Sequence, residues 1–233
     1  MSEPWLWVML AWPFFFCHRY LRHGQVGTAF VAARSAKRQP TMELRVDVQL
    51  GSAEVDEELK SLHDRLVRSG ILKRRTQIIK TPIADLRFHH READGEHYIY
   101  VEDAARGCLA GYTVFNRLIE VNRRLDRFVR APHSKYAADY QRRGIATAVY
   151  EWALAQGFCL VSGARQSPGA HALWQTLAKR HRLEYIDIRD KCMHVLGAQV
   201  DPSTEYRLQT RMLLLGRGWA VDQGNSALVH PGQ

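Results

Sequence analysis

Residues 43–50 alternate apolar and polar positions, with Leu44, Val46, Val48 and Leu50 on one side, the period of a half-buried strand. Gly51-Ser52 ends it. Val55, Leu59, Leu62, Leu66 and Val67 then recur at helical spacing, and Gly70 marks the stop. Residues 71–86 keep neither period and contain Pro82. Residues 97–101 and 108–115 read as a hairpin through the turn 103–107. Leu118, Ile119 and Val121 extend its second strand. Residues 122–126 turn the chain into a partner strand running through Phe128 and Val129 to Tyr136.

A helix follows over 144–156, closed by Gly157, and 158–161 is a short buried strand. Ser167 reads as the N-cap of a second helix with Pro168 at its first position. Ala170, Leu173, Trp174, Leu177 and Ala178 form that helix's apolar face. Strands are expected at 185–188 and 206–215. A βα unit, antiparallel strands and then β-α-β-α-β-β predict a mixed α/β sheet flanked by helices.

The ends differ from this body. Residues 4–17 are apolar but short of the roughly 20 residues that span a bilayer, and Pro13 interrupts them. Residues 1–41 are therefore read as an irregular or disordered extension without stable membrane insertion. The domain runs over 42–221, and 222–233 is a polar tail. With 46% apolar and 24% charged residues, the chain as a whole has the composition of a soluble globular protein. Cys17, Cys108, Cys159 and Cys192 are widely spaced and lack a Cys-x-x-Cys pair, which disfavours a zinc site or disulfide framework and fits a reducing, cytoplasmic setting. The net charge of +9 favours an anionic partner. A phosphorylated cofactor accounts for part of it, and the Lys- and Arg-rich stretch 60–91 keeps nucleic acid open as a partner. The oligomeric state is not readable.

The most informative run is Tyr136-Ala-Ala-Asp-Tyr-Gln-Arg-Arg-Gly-Ile-Ala-Thr-Ala-Val-Tyr150. A strand ends in a polar loop, two arginines flank a glycine, and a helix starts at once. Orphan N–H groups and the positive end of the dipole suit such a helix start to a phosphate, and Gly144 admits a ligand close to the backbone. An ordinary strand–helix turn with solvated arginines is the competing reading.

Gln141-Arg142-Arg143-Gly144-Ile145-Ala146 resembles the Gln/Arg-x-x-Gly-x-Gly/Ala loop of the GNAT superfamily of acyl-CoA-dependent N-acyltransferases. Ser167, Ala170 and Trp174 stand at the spacing of that family's Asn-x-x-Ala-x-x-x-Tyr helix. The likeness covers roughly 43–215. It implies a central mixed, mostly antiparallel sheet whose central strands splay between 136 and 158–161, flanked by helices. It further implies that N–H groups from Arg142, Arg143, Gly144, Ile145 and Ala146, with the Thr147 hydroxyl, hold the diphosphate of acetyl-CoA, with Gln141 in the same loop. Backbone groups of Tyr136 and Ala138 would pair with the pantetheine arm. Two positions depart from the pattern. Trp174 replaces a tyrosine proposed to protonate the leaving thiolate, and an indole N–H is no useful acid. Ser167 replaces an asparagine.

Transfer to an amine needs a base. His133, three residues before Tyr136, is one candidate, and Glu120, on the opposed strand, is the other. His89 and His90 are adjacent on a strand and so face opposite sides, which argues against shared metal ligation; transfer in this family needs no metal. The expected activity is N-acetyltransfer from acetyl-CoA to a primary amine. The alternatives are a non-catalytic CoA-binding module of the same fold and an RNA-directed acetyltransferase of the aminoacyl-tRNA type.

Overall fold

The structure is a computed structural model and describes residues 51–164, 166–205, 210–222 and 227–230. The extension 1–41, Met42 and the strand expected at 43–50 lie outside the described residues, as do 206–209 of the expected last strand and much of the C-terminal tail.

Helix α1 (Ser52–Arg68) buries Leu59 and Leu66. Val67, counted with them on the apolar face, is 57% exposed. It stands one residue past Leu66, a rotation of about 100° that carries it off the packed stripe. Gly70, with φ of 62°, makes the left-handed step into the single turn α2 (Ile71–Arg74). Strands β1 (Gln77–Ile79), β2 (Arg87–Ala93), β3 (Glu96–Asp103) and β4 (Cys108–Arg117) form an antiparallel meander. On β2, His89 bonds Thr76 and Glu102 at 3.1 and 2.9 Å, whereas His90 meets His97 and Trp152 on the other face. The two adjacent histidines thus point apart, as strand geometry requires.

Strand β4 stops at Arg117. Leu118 and Val121 are buried, but in a loop, where they pack on Val129, Val161 and Leu213 instead of extending the strand. Asn122 turns that loop by accepting from the N–H groups of Arg124 and Leu125, each at 3.1 Å. The chain continues through β5 (Val129–Tyr136), α3 (Ile145–Ala155), β6 (Cys159–Val161), α4 (Pro168–Ala178), β7 (Leu183–Arg189), β8 (Cys192–Gly197), the short α5 (Pro202–Glu205) and β9 (Thr210–Leu214). The tail expected over 222–233 contains regular structure at its described positions. Strands β10 (Ala220–Asp222) and β11 (Ala227–Val229) pair as a hairpin, and Val221 and Leu228 pack on the core.

Among the described residues the main sheet has nine strands in the order β1-β2-β3-β4-β5-β6-β9-β7-β8. Only β5 and β6 pair in parallel among the described residues. One face carries α3 and α4 over Phe115, Leu160 and Leu214. The other carries α1 over Tyr100 and Leu109, and the 118–128 loop with the hairpin over Val129, Val161 and Leu213. This is the mixed, mostly antiparallel architecture flanked by helices expected from the sequence.

Candidate active site

The sheet opens at its centre. Strand β5 pairs with β4 from Arg130 to Tyr136 but with β6 only at Val129–Cys159 and Arg130–Leu160. The Cys159 N–H donates to the Phe128 carbonyl at 2.8 Å, and the Ala137 N–H donates to Ala110 at 3.0 Å. The antiparallel alternation then directs the main-chain groups of residues 130, 132, 134 and 136 away from β4. The next ladder bond would run from residue 132 to the Val161 carbonyl, and Pro132 has no N–H to donate. Beyond that point β6 stays with β9, the Ser162 N–H reaching the Met212 carbonyl at 2.8 Å. The free edge of β5 therefore begins at Pro132 and presents Ser134 and Tyr136.

The edge leads to the turn before α3. Tyr140, 4% exposed, pins this turn by donating to Asp103 at 2.8 Å, with the guanidiniums of Arg106 and Arg143 over its ring at 5.7 and 5.3 Å. Gln141 donates from its side chain to the Tyr136 carbonyl at 3.0 Å. Arg142 and Gly144 adopt φ of 59° and 78°. Ile145 is 2% exposed and plugs the helix start into the core. Among the described residues, no acceptor meets the N–H groups of Arg142, Arg143, Gly144, Ile145, Ala146 or Thr147, and no side chain caps the helix. A Cβ built on Gly144 would meet nothing within 4 Å. The turn is an open nest of orphan donors at a helix N-terminus, with the donor set that suits a diphosphate. Arg143 is held by Asp85 at 2.9 Å, while Arg142 is exposed with no ion-pair partner among the described residues.

Side chains of β5 alternate across the sheet. His133 and Lys135 face α1. Lys135 pairs with Glu58, which also accepts from Tyr112 at 2.6 Å. Burial pushes the Glu58 carboxyl up, but its hydrogen bonds to Lys135 and Tyr112 outweigh this and leave its pKa lowered. Helix α1 covers Lys135 and the 118–128 loop covers Ala131, so His133 is left exposed between them. The neighbouring elements shield part of its ring from water, and this desolvation, then the Lys135 ammonium, holds its pKa below that of free histidine. Ser134 and Tyr136 face α3, and their hydroxyls meet Thr113.

Other expected site residues fall elsewhere. Glu120 is not on the opposed strand; it sits in the loop after β4 and pairs with Arg211 at 2.6 Å. Ala138 lies beyond β5 in a 3-10 turn, its carbonyl taken by the Gln141 N–H at 3.2 Å. Ser167 caps α4, accepting from the Ala170 N–H at 3.2 Å. Trp174 is 2% exposed, edge-on to Tyr150 with centroids 6.2 Å apart. Ser134 and Glu58 were not singled out from sequence. The signal for Ser134 was Pro132, which fixes where the free edge starts and hence its parity.

The mixed, mostly antiparallel sheet with flanking helices and the opening between β5 and β6 form the arrangement that resemblance to the GNAT superfamily implies. No family model and no curated protein matches the chain. Solved structures similar to it include a GNAT-family acetyltransferase from Bordetella pertussis, 16% identical, with a TM-score of 0.38 over 60% of this chain and 99% of that one. A phosphinothricin acetyltransferase from Sinorhizobium meliloti, in complex with acetyl-CoA, is 14% identical with a TM-score of 0.35 over 72% and 87%. A spermidine N-acetyltransferase chimera from Vibrio cholerae and hSSAT is 16% identical with a TM-score of 0.31 over 68% and 75%.

Proposed function

We propose that the chain is a GNAT-type N-acetyltransferase, moving an acetyl group from acetyl-CoA to a primary amine. The observation that carries this reading is one juxtaposition. A strand edge with unpaired main-chain groups leads directly into a nest of unsatisfied N–H groups at a helix start. Acetyl-CoA, when bound, supplies the activated thioester. The N–H groups of Arg142 to Ala146 and the Thr147 hydroxyl hold its diphosphate, and Arg142 adds charge. Ser134 offers its main-chain groups to the arm and Tyr136 its N–H, the Tyr136 carbonyl being taken by Gln141. His133 accepts the proton of the incoming amine, since it stands exposed beside the open edge and its lowered pKa keeps it neutral. Glu120, tied to Arg211, serves less well as a base. Cys108, Cys159 and Cys192 are free thiols, consistent with a cytoplasmic setting.

A CoA-binding module without turnover is the second reading, and buried Trp174, which cannot act as an acid, favours it. Thiol release from acetyl-CoA by the full chain, measured across amino acids, polyamines and peptide amines, separates the two. The acetyltransferase reading expects release with at least one amine, and a loss of about 10²-fold or more in kcat for His133→Gln. The base must be neutral. Activity therefore persists as pH falls through about 6.5, the ordinary histidine value, and fails only below it. Lys135→Met removes a positive neighbour, raises the His133 pKa and moves that acid limb upward. Binding of acetyl-CoA with no release from any amine would leave only the module.

A further inference from the structure

Beneath the open edge of β5 lies a chain of hydroxyls. Thr113 Oγ1 is 2.8 Å from both Ser134 Oγ and Tyr136 OH, and Ser134 Oγ is 3.4 Å from Tyr150 OH. Thr113 is 0% and Tyr150 5% exposed, whereas Ser134 is half-buried and belongs to the free edge. Each hydroxyl brings one proton and two lone pairs. Four protons serve three contacts, so one O–H has no acceptor among the described residues. If Tyr136 donates to Thr113, Thr113 to Ser134 and Tyr150 to Ser134, every buried proton is used. Ser134 then accepts twice, and its own hydrogen is the one left over. A hydroxyl that accepts two hydrogen bonds is polarised into a stronger donor.

The alternation of β5 adds direction. His133 and Ser134 are neighbours on opposite faces. An acyl group lying along the edge meets the base on the α1 side and a spare donor on the α3 side. Trp174 walls that second side, packed on Tyr150.

We infer that Ser134, braced by Thr113 and Tyr150, donates a hydrogen bond to the sulfur that leaves the thioester, the stabilisation that Trp174 cannot give by ionising. This rests on the acetyltransferase reading. In the step, the amine lone pair forms the C–N bond, and the C–S bond breaks with its electron pair passing to sulfur. The amine proton goes to His133 and then to solvent. The sulfur departs as thiolate, hydrogen-bonded to Ser134, and is protonated later by water. Tyr150, its phenol pushed up to about 12 by burial, keeps its proton throughout.

The test needs no turnover. Free CoA is bound to the full chain and its thiol titrated by ultraviolet absorbance of the thiolate, with the desulfo-CoA complex as blank for the protein's own cysteines. A donor aimed at sulfur favours the anion, so the bound thiol should ionise about one pH unit below that of free CoA. Ser134→Ala should restore the free value, and Tyr150→Phe, which preserves packing, should restore it in part. That second variant keeps the test alive if the first fails to fold. With acetyl-CoA and an acceptor, kcat in Ser134→Ala should fall on the order of tenfold with KM unchanged. CoA binding with the same thiol pKa in the parent chain and both variants overturns the inference and spares the acetyltransferase reading. Failure of CoA to bind the parent chain removes both.

Discussion

Two glycines at the site are required for different reasons. Gly144 stands in open space, and its need is the left-handed φ of 78°. Gly111 stands where β4 and β5 touch. A Cβ there would lie 2.2 Å from Tyr136 Cδ1 and 2.4 Å from the Lys135 carbonyl oxygen, so the backbone itself would have to move. Gly111→Ala is expected to cost about 1–3 kcal/mol in denaturant unfolding, the range of overpacked cores, and to weaken CoA binding by displacing the Tyr136 end of the free edge. An unchanged midpoint and affinity would show that this contact does not set the edge. The sequence made Gly144 conspicuous because a helix begins beside it. Gly111 is silent there, since its partner is 25 residues away and only the register brings them together.

At the scale of elements, the strongly periodic pieces were legible: α1, α3, α4, the β3–β4 hairpin and β5. Several of the missed pieces share a physical cause. Strand β2, entered only through its adjacent histidines, buries Phe88 and His89 side by side, so no alternation marks its bounds. Strands β1, β10 and β11 are three residues each, too short to show a period. Leu118 and Val121 looked like strand because burial, not strand pairing, selects apolar residues; that misplaced Glu120. Helix α4 was read correctly down to its cap, and this bears on the site. The Ser167 hydroxyl already accepts the Ala170 N–H. Ser167→Ala should therefore lower stability by about 1 kcal/mol and leave acetyl-CoA affinity unchanged in calorimetry. A clear loss of affinity would return Ser167 to the binding site.

Across the whole molecule, chain order makes the opening. Helix α3 carries the chain from β5 to a parallel β6, which β9 then binds from its far side. Pro132 stops the β5–β6 ladder, and both faces of the sheet are covered around the breach. The sheet thus offers a central edge inside its own core, ending at a helix start whose donors are unspent among the described residues. Isothermal titration of acetyl-CoA into the full chain and into Thr147→Glu tests that claim most directly. A glutamate at the third helical position suits the helix dipole and can satisfy the orphan donors itself, so the melting temperature should hold or rise. The account predicts saturable binding by the parent chain and none measurable by the variant. Equal affinity in both, or no binding by the parent chain, would contradict it.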